Sequence, residues 1–561
     1  MTNAPENRRK NMRFNTQKYR QLELFIKTEP GKTGRLHMIS GSARKMFRID
    51  QYRKWMRIAV NQRTTYEVTT EDCEISYAYL SGCENILDRG ICLIQDGRFY
   101  DKSQWSGWYD TPVRNQFHLS PLKGWMNDPN GFCFYHGYYH LFYQFHPFSE
   151  EWDNMYWGHA VSQDLIHWVH LPVCMEPQQE ILNHPELVGG AFSGTALIDD
   201  EQKMRLFFTR HIGKRKDPQN MREYQVMTES WDGISWERES RIIDGPEDEE
   251  IQDFRDPKVF FEDGEYKMII GTRTKEHPAV ALYKSYNLVQ WTYCQEIFEA
   301  KQEEGGFPLE CPDLYKLDNQ WVLTAGYCGH VDAHGRKNGT YYHIGEWYQD
   351  QFHAETQGLY DFGADFYAVQ TIDTEIGRVA IGWISDVSKE HVKSVNGACG
   401  SMSIPRVLHV KDGRLYQNPI RGIYQLIRYP VYEGCDEDVE LSGIEGNTYY
   451  VRLELETPAD FRMTLYKWKD RKLYLEQKDG QCRFRTVGEG AKNILYPADI
   501  DQVTVVEVFV DRNVCEVFLN EGQAAGAKKF YQQSEMGNFE FHAQEKGAVK
   551  SLMVEKMEGI W

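Results

Sequence analysis

The sequence has no run of about 18 consecutive apolar residues, the length a helix needs to cross a bilayer. Its polar beginning, MTNAPENRRKNMRFN, is followed by no apolar leader, so no secretion signal is expected. Twelve cysteines are scattered without a C-x-x-C pair. That excludes the usual zinc spacings and suits reduced thiols in a cytoplasm, the expected location. HExxH, a P-loop and GxGxxG behind a strand are all missing. Neither a metal nor a cofactor is therefore expected. Positive charge is in deficit, with 64 Lys and Arg against 83 Asp and Glu and a net charge of −19. Such a balance speaks against nucleic acid or an anionic membrane surface as a partner and fits a neutral substrate.

What is abundant is aromatic: 14% of the 561 residues, with 15 Trp and 34 Tyr. That fits a strand-rich fold, and it also fits sugar binding, because apolar sugar faces stack on rings. The length suggests two to four domains.

Between about residue 130 and residue 390 a pattern recurs. FCFYHGYYHLFYQF, TALIDDEQKMRLFFT, KVFFEDGEYKMIIG, LYKLDNQWVLTAG and QTIDTEIGRVAIGW each place two apolar alternating runs around a short polar turn, as a β-hairpin does. The turns fall near Gly137, Glu201, Gly264, Asn319 and Gly377, a repeat of roughly 60 residues. A second motif interleaves in constant phase: SQDLIHW (162–168), SWDGISW (230–236) and SYNLVQW (285–291). One repeat is enough chain for a four-stranded blade, so five repeats predict a five-bladed β-propeller over 116–428. Short alternating strands over 429–561 predict a β-sandwich. Residues 1–115 read as a small β-rich accessory domain whose first fifteen residues are disordered. The expected class is all-β throughout.

A propeller brings the first strand of each blade to a central funnel. Three acidic residues begin such strands: Asp128 in NDPNG, Asp256 in FRDPKVFF and Glu310 in LECPDLYKL. Asp128 and Asp256 precede a proline, which pushes the preceding backbone towards the extended region, while Cys311 stands between Glu310 and its proline. WMNDPNG (125–131) looks like a reverse turn headed by Trp125 and Met126, which are expected to wall a pocket. Arg255 abuts the second acid. Carboxylates flanking one bond are what glycoside hydrolysis requires, one attacking the anomeric carbon and one delivering a proton. Crowded like charges raise the pKa of one of them and so supply the acid. Ser193 is not a serine-hydrolase nucleophile: an elbow needs glycine at 191 and 195, where this chain has Ala191 and Thr195. His159 and His167 read as structural.

These motifs resemble glycoside hydrolase family 32, the β-fructofuranosidases that include invertases, inulinases and levanases. WMNDPNG, FRDP and ECPD are similar to its three acidic motifs in order, and YQFHP, WGHAVSQDLIHW, AFSGTA, DFGADFYA, IGWISD, SIPRVL and LYQNPI agree. VEVFVDRNVCEVFLNEG resembles the C-terminal sandwich of that family. The resemblance covers roughly residues 115–555. It implies Asp128 as nucleophile, Glu310 as general acid and base, and Asp256 as transition-state stabiliser with Arg255 beside it. Asn127, Gln144, Trp152, Phe192, Ser193 and Trp383 match positions that line the fructose pocket. The substrates implied are sucrose and short fructo-oligosaccharides, and a fructosyltransferase or an inulin- or levan-specific exo-fructanase is the alternative. Thr195 departs from the commoner serine of that motif. The N-terminal extension is larger than the family minimum, leaving open whether it caps the funnel, binds polymer or mediates association into a homo-oligomer.

Overall fold

The computed structural model describes residues 11–301, 307–384, 397–488, 494–530 and 536–561. Residues 1–10 of the segment expected to be disordered, and Ser385 and Asp386 of IGWISD, lie outside the described residues. Residues 11–15 do not follow that expectation. Asn11–Asn15 is a strand paired with Thr65–Glu71, and it buries Phe14, which is 2% exposed.

Five sheets, each built on four antiparallel strands and with a short fifth strand added to the first and the last, surround one axis. Their first strands are Gly124–Tyr135, Leu187–Ile198, Phe254–Glu262, Leu309–Leu317 and Phe366–Thr374, and each contacts the next around a closed ring. Each is joined to its second strand by the hairpin expected from the repeat. The ring is closed by chain that follows the fifth hairpin. Ala398–Cys399 pairs parallel to Gly124 and Trp125 of the first blade, while Ser401–Met402 pairs with the second strand of the fifth.

The interleaved Ser motif is the corner between the third and fourth strands of the first three blades. In each copy the serine hydroxyl meets an Asp or Asn two residues on: Ser162 to Asp164, Ser230 to Asp232 and Ser285 to Asn287. That acceptor oxygen then takes the two backbone N–H groups that follow, as at Ile166 and His167. The residue between is left-handed in all three, with φ of 66° at Leu165, 71° at Gly233 and 64° at Leu288. Side-chain oxygens thus replace the ladder where the chain reverses.

The N-terminal region is two sheets. Asn11–Asn15, Thr65–Glu71, Gly34–Ser40 and Ala43–Ile49 form one; Arg53–Ala59, Gln21–Lys27, Glu74–Ser81, Cys92–Gln95 and Arg98–Tyr100 form the other. Leu22, Leu24 and Ile26 face the core between them, and Phe25 faces the propeller, joining Phe145, Phe148 and Tyr156. At the other end two six-stranded sheets make the sandwich. The Trp561 ring stacks on Tyr109 at 4.0 Å and on His170 of the first blade at 5.3 Å, returning the end of the chain to that blade.

A buried charge network joins propeller and sandwich. Asp511 accepts from the backbone N–H of Gln116, Phe117 and His118, and from His118 Nδ1 at 2.8 Å. Glu516 meets His118 Nε2 at 3.0 Å and Arg406 at 2.6 Å, and Arg406 also reaches Asp361 at 3.0 Å. The entry to the propeller, the link into its fifth blade and the third strand of that blade are thereby tied to two adjacent strands of the sandwich. Burial alone would lower the His118 pKa, but Asp511 and Glu516 raise it to about 9. Its unfolded value is about 6.5, so the folded protein holds an extra proton above that pH. This contribution is fully present below about pH 6.5 and is lost as pH rises through about 9. Thermal melts of the wild type should show a midpoint that falls over this range, and His118→Gln should flatten the fall; an equally steep decline in the variant would contradict the assignment.

Candidate active site

All five inner strands are interrupted by a β-bulge near the same end. The register slips between Met126 and Pro129, Ala191 and Gly194, Arg255 and Lys258, Glu310 and Asp313, and Tyr367 and Gln370. The residues inside the slips are Asn127 and Asp128, Phe192 and Ser193, Asp256 and Pro257, Cys311 and Pro312, and Ala368 and Val369. Bulges re-aim side chains and leave a backbone N–H out of the ladder. Proline fits there because it has no N–H to leave unpaired. WMNDPNG is therefore part of a strand and not a reverse turn.

The proline does not hold Asp256 extended as its sequence context suggested. Asp256 is left-handed at φ 63°, as are Cys311 at 48° and Ala368 at 55°. The bulge geometry overrides the local preference, at a cost of about 1–2 kcal/mol for a residue with a Cβ. A hydrogen bond from its own N–H to Thr209 Oγ1 at 3.0 Å holds Asp256 in place.

The three carboxylates meet here. Asp128 Oδ2 accepts from Ser193 Oγ at 2.9 Å. Asp256 Oδ2 accepts from the Cys311 N–H at 2.9 Å and from its thiol at 3.4 Å, and the same sulfur lies 4.0 Å from Asp128 Oδ2. Glu310 Oε1 accepts from Arg255 Nε at 3.0 Å and Oε2 from the Tyr367 hydroxyl at 2.8 Å. Arg255 is buried and spends its remaining reach on Glu223 and Asp253.

The other predicted residues surround this group. Asn127 Oδ1 accepts from Trp125 Nε1 at 2.7 Å. Gln144 bridges two blades, donating to Ala191 O at 3.0 Å and Ser193 Oγ at 3.4 Å. Phe192 stacks on His211 at 4.2 Å, and Trp152 stands at the rim, 45% exposed, with its ring 6.2 Å from Phe192. Trp383 packs edge-on to Trp125 at 5.8 Å. Met126 is not a pocket wall; it is fully buried in the large core beneath the first blade. His159 is buried against Phe142 and His140, and His167 bonds Asp164 in its corner turn, so both are structural.

Four members escaped sequence reasoning: Tyr367, Glu223, His211 and Asp253. Tyr367 had a usable signal, since it occupies the position just before its bulge that Glu310 occupies before its own. Glu223 and His211 face each other across neighbouring strands of the second blade at 2.7 Å, a register no local motif announces.

Burial pushes Asp128 up to about 6, aided by the Glu310 charge and opposed by hydrogen bonds from Asn127 and Ser193. Burial and then the Glu310 charge push Asp256 well above the usual carboxylate range, against the pull of Arg255. Three acidic side chains, Glu310, Glu223 and Asp253, share Arg255 beside Asp128 and Asp256, a field suited to a positive charge developing on a bound neutral molecule. Among the described residues no group of three or more His, Cys, Asp or Glu is arranged to hold a metal ion, and no helix is long and apolar enough to cross a membrane.

Comparison with known proteins agrees with the fold. The profile described as "Glycosyl hydrolases family 32 N-terminal domain" matches residues 118–419. A sucrose-6-phosphate hydrolase of Zymomonas mobilis is 33% identical over 73% of this chain and 84% of its own length. A glycoside hydrolase family 32 structure from Bifidobacterium adolescentis, 30% identical, superposes with a TM-score of 0.91 over 98% of this chain and all of its own. A Bombyx mori family 32 β-fructofuranosidase solved with sucrose is 25% identical, with a TM-score of 0.71 over 82% of this chain and 97% of its own.

Because their folded-state pKa values are raised, Asp128 and Asp256 make the folded protein bind protons that the unfolded chain releases near about pH 4. Stability is therefore lost as pH rises from about 4 through the folded values. Asp256→Asn removes one of the crowded charges and should stabilise the protein at neutral pH by on the order of 1–3 kcal/mol, with a smaller gain near about pH 4. Paired melting curves at the two pH values check this, and a destabilised variant at neutral pH would contradict it.

Proposed function

The chain belongs to glycosyl hydrolase family 32, and we propose that it is a retaining, exo-acting β-fructofuranosidase that cleaves terminal fructose from sucrose and short fructo-oligosaccharides. The observation that carries this reading is the convergence of Asp128, Asp256 and Glu310 at the bulges of three different blades, linked through Cys311 and Arg255.

In this reading Asp128 is the nucleophile. Its carboxylate attacks C2 of the fructosyl unit as the C2–O bond to glucose breaks, and Glu310 delivers a proton to the departing oxygen. Glucose leaves and a fructosyl ester remains on Asp128. Glu310 then takes a proton from water, whose oxygen attacks C2 and frees both fructose and the Asp128 carboxylate. Ser193 holds Asp128 in line. Tyr367 and Arg255 aim Glu310 from opposite sides. Asp256 sits where fructose hydroxyls would bind, and with the other acids it favours the cationic character of the transition state.

The described cations nearest the carboxylates are already committed. Arg255 is bonded to Glu310, Glu223 and Asp253, and Arg273 to Asp253. A phosphorylated sucrose, the substrate named for the Zymomonas mobilis relative, is the rival to be tested. Assays on sucrose, sucrose 6-phosphate, inulin and levan should give the highest kcat/KM on sucrose or a short oligosaccharide. A strong preference for the phosphate ester would overturn that choice. Free fructose should equal glucose on sucrose, whereas a fructose deficit with new oligosaccharides would mark a transferase.

Asp128→Asn should lower kcat by at least about a thousandfold while the protein stays folded. Glu310→Gln should lose far less rate on fructosides with good leaving groups than on sucrose, because those need little protonation. Asp256→Asn should lose rate on both alike. For the wild type, kcat/KM should fall with acid below about pH 6, as Asp128 takes up its proton.

A further inference from the structure

The loop over residues 147–155, between the second and third strands of the first blade, carries Trp152 to the rim and is gripped from two sides. Asp153, next to Trp152, is the anchor. Its Oδ2 accepts from Arg53 at 2.8 Å and its Oδ1 from Arg215 at 2.6 Å. Arg215 lies in the turn between the second and third strands of the second blade. Arg53, however, opens the strand Arg53–Ala59 of the N-terminal region, beyond the residues matched by the family profile.

Arg53 is built into this contact. It is 8% exposed, and its guanidinium lies over the rings of Tyr52 and Phe148, 4.9 and 5.4 Å from their centres. Phe148 starts the loop and packs edge-on against Phe25 of the N-terminal region at 6.1 Å. At the far end Asn154 N–H bonds Asp153 Oδ1 at 2.8 Å, and Met155 N–H bonds Gly189 O at 2.7 Å. Trp152, in contrast, is held to the propeller by its edge contact with Phe192. Because both side chains of the Arg53–Asp153 pair are largely shielded from water, its attraction is weakly screened, and breaking it leaves the aspartate half-compensated.

We propose that Arg53 is a positioning residue: through Asp153 the N-terminal domain holds Trp152 as a wall of the fructoside site and thereby sets substrate affinity. This rests on the fructosidase reading above. The N-terminal region then does more than add mass to the propeller; it completes the site from outside. Trp152 offers an apolar face and moves no proton, so loosening it weakens binding in ground state and transition state together, which appears in KM rather than kcat.

Four variants assayed on sucrose test the proposal: Arg53→Met, Arg53→Lys, Trp152→Ala and the double variant. Arg53→Met should raise KM about five- to twentyfold with kcat within about threefold, and Arg53→Lys should recover most of the loss. On the Trp152→Ala background, Arg53→Met should add less than about twofold, because the loop no longer presents a ring. An unchanged KM in Arg53→Met, a loss in kcat alone, or full additivity in the double variant would overturn it. Should Arg53→Met not fold, Asp153→Asn keeps the size of the anchor, weakens both ion pairs, and must show the same rise in KM. A wild type that cleaves no fructoside would sink the functional reading, and this inference with it; a wild type that does, beside a kinetically normal Arg53→Met, would sink this inference alone.

Discussion

Five strands run side by side around one axis, and each is broken by a bulge near the same end; everything at the site depends on that constraint. A regular strand would alternate its side chains between neighbouring blades and turn every second one away from the axis. The bulge inserts a residue and turns Asp128, Ser193 and Asp256 into common space. The cost is visible as left-handed backbone at Asp256, Cys311 and Ala368, and it is sustained because each strand is ladder-paired beyond the slip. A ring of strands also needs closing. Here chain after the fifth hairpin pairs with the first and fifth blades, and the Arg406 network pins the propeller entry and the fifth blade to one buried patch of the sandwich.

Arg255 organises the charge of the site. Its guanidinium touches Glu310, Glu223 and Asp253, and Glu223 passes the contact on to His211, on which Phe192 lies. Arg255, with Arg273 on Asp253, does not neutralise so many acids. It places the acids, and the leftover negative field is what a sugar developing positive charge would meet. The same field works against folding at neutral pH. Sites built for chemistry commonly trade stability in this way.

The outer domains act as frame. The sandwich is joined to the propeller through buried ions, the N-terminal sheets through an aromatic core around Phe25, Phe148 and Tyr156. Among the described residues neither contributes a carboxylate to the centre, but the N-terminal region reaches the rim by way of Arg53.

The sequence by itself determined the repeat, the hairpins, the corner turns and the placing of three acids on inner strands. Each of these is written in residues close together in the chain: alternation, a polar turn, Ser-x-Asp, Asp-Pro. It also offered candidates for the lining, through motifs that resemble a known family. What it did not show is what depends on neighbours far along the chain. Gln21–Lys27 has no clean alternation because one face packs within its own domain while Phe25 enters the propeller. Met126 reads like a pocket residue beside Trp125, yet its place in the strand sends it into the core. Glu223, His211 and Arg53 are ordinary polar residues in ordinary strands, and only the assembled tertiary structure brings them to the site or its rim. The left-handed backbone of Asp256 was likewise a tertiary decision: pairing on both sides of the bulge outweighs the local pull of the proline that follows.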